Sequence, residues 1–395
     1  MVTAILNAPA ERKPVDIVRP GALEVSLSPA PNLATLEKVW RDVEAVSEAR
    51  YFVSWGWIGT WLATLPADVR PDLVTVRQGG RTVALGLLCR KRVVRHRFLP
   101  VRALSLHSTS DPALDCLTIE YNGFLAARGF EEPAAQAALS YLVRQEPGWD
   151  EIALDGVPPN YLELAQHAGL SVQIGARKPV YEADLAAMRA KGGDYLASLS
   201  RNTRQQTRRA FRLYEETGPL GFSVARDLEE ALQTFATLKR LHQRYWIARG
   251  RPGAFATPYF EAFHDRLIRT RFAAGEIRIA RVTVGEQVVG CLYSFVWRGR
   301  IYFYQSGFEY GADARLKPGL VAHCLAIQHA LAAGAEVYDF LAGDSQYKRS
   351  LGREQTALIW FRARRPKLAY RVEDALRAAK QMVAARSGNE PDAAD

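Results

Sequence analysis

A chain of 395 residues, 48% hydrophobic and 24% charged, has the make-up of a globular protein with room for two domains; fibrous, low-complexity and disordered classes are excluded. No apolar run approaches the roughly 20 residues needed to cross a bilayer, and Cys89, Cys116, Cys291 and Cys324 form no CxxC or Cys/His spacing, which argues against a transmembrane span, a disulfide scaffold and any metal site. The net charge of +10, carried mostly by arginine, favours anionic partners and concentrates in Arg90–Arg97 and Arg201–Arg212.

Residues 1–24 are Pro- and Ala-rich without periodicity and read as a loose leader that lacks a signal-peptide pattern. With scattered free thiols, this points to a cytoplasmic location. Leu73–Arg90 reads as strand, turn, strand, and Tyr51, Phe52, Trp55, Trp57 and Trp61 before it read as core. His107–Gly123 is a polar loop; His107-Ser108 lacks the placed acid of a hydrolase triad. A helical stretch through Pro133–Gln145 precedes the strand in Gly148–Gly156.

The second half repeats this plan. Ile277–Trp297 is again strand, turn, strand, with Gly80 and Gly86 answered by Gly285 and Gly290. A helix opening at Lys317-Pro318-Gly319 and closing at Gly334 leads into Val337–Leu341. The pattern predicts a tandem duplication of an α/β (α+β type) unit, each half a mostly antiparallel mixed sheet flanked by helices. Residues 25–180 form the first domain and 181–372 the second, with a C-terminal helix and disordered tail over 373–395.

The chemistry gathers in the second half. A helix that starts just after a strand presents free N–H groups at its positive end, which suits a phosphate. The backbone from Gly319 through Leu320 and Val321 to Ala322 is therefore the expected diphosphate cradle, with Arg315 or Lys317 as counter-charge. Asp339 lies inside a strand, and Asp344, Tyr347 and Lys348 lie just beyond it. Acyl transfer needs a base, for which Asp339 or Asp344 qualifies, an acid, for which Tyr347 qualifies, and a cation at the developing oxyanion, for which Lys348 qualifies. Arg201, Arg204, Arg208 and Arg212 share one helical face after the N-cap candidate Ser200.

The tandem layout, LSRNTRQQTRRAFR, LHQRYW, the KPG helix start and YDFLAGDSQYK together resemble the tandem GNAT-fold acyltransferases over roughly residues 35–365. The nearest branch is the CelD-like one, linked to cellulose and exopolysaccharide synthesis and related to the FemAB aminoacyltransferases. The resemblance implies acetyl-CoA or another acyl-CoA as donor, no metal, and an amine or hydroxyl acceptor on a small molecule, sugar or envelope component. It also implies that His242, Arg244 and Trp246, with Tyr304 and Gln305, line the acceptor groove. Two alternatives stand beside it: aminoacyl transfer from tRNA, and a non-catalytic binding protein in polysaccharide assembly. The phosphate loop departs from the usual GNAT pattern, since Arg315–Ala322 keeps a basic residue and one glycine but lacks the second. The first half has Glu132-Pro133 where a KPG would stand, so a single donor site in the second half is expected.

Overall fold

The structure is a computed structural model that describes residues 22–95, 99–368, 370 and 372–374. Most of the expected leader and C-terminal tail therefore lies outside the described residues. Leu23 and Glu24, assigned to the leader, open the first strand instead.

The first half comprises β1 (Leu23–Pro29), α1 (Leu33–Ala45), α2 (Trp55–Thr64), β2 (Asp72–Gln78), β3 (Arg81–Arg95), β4 (Leu99–Leu106), β5 (Leu125–Ala126), α3 (Glu131–Gln145), β6 (Glu151–Val157), α4 (Asn160–His167) and β7 (Ser171–Asp184). Then come α5 (Leu185–Ala190), α6 (Tyr195–Ser198), α7 (Arg201–Glu215), β8 (Leu220–Val224), α8 (Leu228–Ile247), α9 (Pro258–Arg271), β9 (Ile277–Val284), β10 (Gln287–Trp297) and β11 (Arg300–Phe308). The chain closes with α10 (Pro318–Ala332), β12 (Val337–Ala342), α11 (Gln346–Leu351) and β13 (Arg353–Arg364). Turn chemistry explains the hairpins. Gly79 and Gly80 between β2 and β3 have φ of +55° and +78°, and Arg298 and Gly299 between β10 and β11 have +49° and +75°. Two left-handed residues in a row make the tight turn whose twist matches the strands it joins.

Among the described residues all thirteen strands belong to one sheet, in the order β1-β2-β3-β4-β6-β13-β7-β12-β11-β10-β9-β8, with β5 added beside β3. The pairings are antiparallel except β4 with β6 and β11 with β12. The last strand of each half is exchanged. β7 runs through the expected boundary and pairs with β12, while β13 returns to lie between β6 and β7. Successive residues of a strand face opposite sides, so Tyr293 of β10 joins one core and Leu292 another. The shared core packs Trp40, Tyr51, Phe52 and Trp57 of the first half against Leu238, Phe263 and Phe295 of the second. The aromatic group of the first half is core, as its pattern predicts.

The two parallel pairings are short, and this positions the site. β4 and β6 meet only over Ala103–Ser105 and Glu151–Ala153; β11 and β12 meet only over Arg300–Tyr302 and Val337–Asp339. Beyond three rungs each pair splays into a wedge. The first wedge is filled by the chain around Asn122, whose Nδ2 donates to Leu106 O (2.9 Å) and Asp155 O (3.0 Å) and whose N–H donates to Gly156 O (2.9 Å). The second wedge opens into a cavity of about 1030 Å³.

Candidate active site

One wall of the cavity is the stretch of β11 beyond its pairing with β12, Phe303–Phe308; opposite stand Phe340, Leu341 and Ala342 of β12. Its mouth is formed by Lys317, Gly319 and Leu320 at the start of α10 and by Asn202, Thr203 and Gln206 of α7. On the side of the first half the cavity takes Cys116, Thr118 and Glu120, of which Glu120 is buried. The chain breaks into α10 at Lys317, a non-glycine residue with φ of +44°, and Pro318 fills the first helical position, where a missing N–H costs nothing. Ser200 caps α7 by accepting from Thr203 N–H at 3.2 Å.

The anion cradle is narrower than the sequence suggests. Val321 N–H already closes onto Lys317 O at 3.2 Å, and the Val321 and Ala322 side chains are buried in the core. Only Gly319 and Leu320 of the four residues line the cavity. Arg315 is turned away: its guanidinium forks onto Asp313, with Nη2–Oδ2 at 2.6 Å, and it does not line the cavity. Lys317 is a cation at the mouth, and its Nζ donates to Gln206 Oε1 at 2.9 Å.

The two aspartates expected as bases stand apart from the cavity. Asp339 is wholly buried. Its Oδ2 accepts from the Tyr121 hydroxyl at 2.6 Å and lies 3.5 Å from Arg300 Nη2, and its Oδ1 accepts from Leu341 N–H at 2.8 Å. Leu341 has φ of +60°, a costly conformation for a residue with a branched side chain. Asp339 holds this kink, which lies where the register of β12 against β7 shifts. Asp344 is half exposed, paired with Arg349, and accepts from the Tyr181 hydroxyl at 3.1 Å.

Tyr347 and Lys348 do line the cavity. The Tyr347 ring stacks on His323 at 5.2 Å and 11°, and burial pushes its hydroxyl well above the usual tyrosine range. Lys348 Nζ donates to Leu341 O at 3.1 Å and Ala342 O at 2.6 Å, so the kink in β12 supplies its acceptors. Burial lowers the Lys348 ammonium, against the opposing pull of Glu120 and Asp339.

Glu120 is the residue that sequence reasoning passes over. Its Oε2 accepts from Ala342 N–H at 2.7 Å, so Ala342 offers its N–H to Glu120 and its carbonyl to Lys348. Burial lifts the Glu120 carboxyl to about 7, against the Ala342 N–H and the Lys348 charge. Three tethers set the carboxylate in place: Tyr304 hydroxyl to Leu117 O, Ala342 N–H to Glu120, and Tyr121 hydroxyl to Asp339. The one local signal is an acid set between Ile119 and Tyr121, where a buried carboxylate needs a partner or a task.

Of the expected acceptor residues, His242, Trp246, Tyr304 and Gln305 line the cavity, whereas Arg244 is outside it, paired with Glu309. His242 is committed at both nitrogens. Its Nε2 accepts from Ala254 N–H at 3.2 Å, so Nδ1 carries the proton given to Ser306 O at 3.0 Å. Burial lowers its pKa. It is a neutral latch between α8, β11 and the loop before α9. Among the described residues no group of His, Cys, Asp and Glu can hold a metal ion, and no helix is long and apolar enough to cross a membrane.

Residues 201–349 match the Acetyltransferase (GNAT) domain family. Solved structures of similar fold include FemX, at a TM-score of 0.53 and 12% identity, covering 85% of this chain and 96% of that one. A second is the C-terminal domain of a protein assigned as a lysylphosphatidylglycerol synthetase from Agrobacterium fabrum (TM-score 0.50, 12% identity, 89% and 97% covered). A third is L-PGS from Bacillus licheniformis (TM-score 0.50, 10% identity, 86% and 94% covered). At these identities the likeness is one of fold. No protein of curated function matches the chain. The fold is of the GNAT acyltransferase type.

Proposed function

We propose that the protein transfers an acyl group from acyl-CoA, with acetyl-CoA as the simplest donor, to an amine or hydroxyl of a small acceptor of sugar or envelope type. The observation that carries this reading is the open wedge between β11 and β12, with a helix start at its mouth and the buried Glu120 and Lys348 both in its lining. Beyond Tyr302 the edge of β11 has lost its β12 partner, so its backbone groups suit the amides of a pantetheine arm. The N–H groups of Gly319 and Leu320, with Lys317 beside them, suit the diphosphate.

In this reading Glu120 takes the proton from the attacking amine or hydroxyl as its lone pair forms the bond to the thioester carbon. Lys348 lies close enough to Glu120 to favour its ionised form, and it offsets negative charge developing on the carbonyl oxygen. The carbon–sulfur bond breaks, and Tyr347, which burial keeps protonated, gives its proton to the departing thiolate. Asp339 acts through Leu341 and Tyr121 as a positioning residue. Arg315 and Asp344 carry no part of this scheme.

Titration calorimetry with CoA and acetyl-CoA tests the donor. Saturable 1:1 binding that weakens at least about tenfold in Lys317→Ala combined with Gln206→Ala is expected. No CoA binding, with salt-sensitive binding of aminoacyl-tRNA in its place, would replace the donor and sink the proposal.

A further inference from the structure

The surface beside the mouth of the cavity carries far more charge than a donor diphosphate can use, although only Arg251 and Lys317 of its basic residues line the cavity. Segments 201–216, 244–251 and 309–317 together hold ten basic side chains against four acidic ones, more than half of the chain's excess. On α7, Arg201, Arg208 and Arg212 are exposed and have no ion-pair partner among the described residues. They stand opposite the buried face of Thr203, Thr207, Ala210 and Tyr214. The ladder is about 16 Å long at the rise of an α-helix. Arg209 follows Asn202 and Gln206 on the flank next to the cavity, within electrostatic reach of Asp313. Loop 309–316 and the end of α8 continue this surface, where Arg244 pairs with Glu309.

Apolar groups are set among these arginines. Ile247, the last residue of α8, is 65% exposed, and Tyr310 is 49% exposed. The Tyr310 ring lies 4.6 Å from that of Tyr245, and Arg249 covers Tyr245 at 3.6 Å. Tyr245, Trp246 and Tyr310 also line the cavity, so the apolar tip and the mouth are continuous.

We infer that this rim docks on an anionic phospholipid surface and seats the mouth of the cavity against it. Basic side chains flanking exposed aliphatic and aromatic groups are the composition of a protein that lies in the headgroup layer. The same arginines would attract an RNA backbone, but two features favour lipid. A phosphodiester chain offers Ile247 nothing, and the tyrosine faces on which bases would stack are taken by Arg249 and by each other. An acceptor reached from this side is amphiphilic, with its nucleophilic head inside the cavity and its apolar part left in the bilayer. The inference is independent of the donor, since it is read by lipid binding alone.

Co-sedimentation of the full chain with phosphatidylcholine vesicles, with and without phosphatidylglycerol, over a salt series is the test. Binding that requires phosphatidylglycerol is expected, weakened at least about tenfold in Arg208→Glu/Arg212→Glu and about threefold or more in Ile247→Ser. These positions are exposed, so circular dichroism will be unchanged while CoA binding persists. Indifference to phosphatidylglycerol, or bulk tRNA that binds Ile247→Ser as tightly as the unaltered chain and displaces the vesicles, would overturn the inference.

Discussion

At the scale of single residues, the reading rests on Glu120. A base held near 7 is protonated below that pH and cannot accept a proton, so kcat/KM should rise with pH through about 7 and level off above it. Glu120→Gln is expected to lower kcat by about a hundredfold or more and to remove that rise, leaving CoA affinity within about twofold by calorimetry. A Glu120→Gln enzyme that keeps both rate and pH profile would leave the proposed scheme without a base. Tyr347, Lys348, Lys317 and Gly319, which line the cavity, stand out in the sequence because they follow one strand or open one helix. Glu120 could not, because the N–H that fixes it belongs to Ala342, 222 positions later. Asp339 misled for a related reason. An acid inside a strand announces a special requirement, but not that the requirement is a backbone kink at Leu341.

Among the elements, α10 and the wedge it faces are the parts most open to test. A Cβ on Gly319 would sit 3.3 Å from Phe308 Cε2, so a branched side chain there presses on the cavity wall and the cradle at once. Gly319→Val is expected to raise the KM for acyl-CoA about tenfold or more with a smaller effect on kcat, in steady-state assays. An unchanged KM would remove the diphosphate from this helix. The elements themselves were legible. Alternating apolar runs gave β9, β10 and β11, turns at Gly285 and Gly299 joined the hairpins, and Pro318 and Gly334 bracket α10. The wedge was not, since periodicity says which residues form strands and nothing about how far two of them stay paired. The stoppered first wedge was legible only indirectly, through the acidic helix start at Glu131 and Glu132 that disfavours phosphate.

For the molecule as a whole, the exchange of β7 and β13 decides how it folds. Each half lends a strand to the other, and the aromatic core beneath is common to both. Calorimetric melting of the full chain is therefore expected to show one cooperative transition, and a chain ending before Arg353 to lose native near-ultraviolet dichroism from the first half as well as the second. Two separate transitions would mean that the halves are stable by themselves. The repeated plan of strands and helices was visible in the sequence, yet a duplication reads as two beads in a row, and no local pattern reveals that their last strands trade places. One consequence reaches into synthesis. The strand that locks the halves together is made after the other described strands, so the carboxylate from the early part of the chain and the cradle from the late part are not held together before it. A polypeptide cut before Arg353 is expected to lack the assembled site.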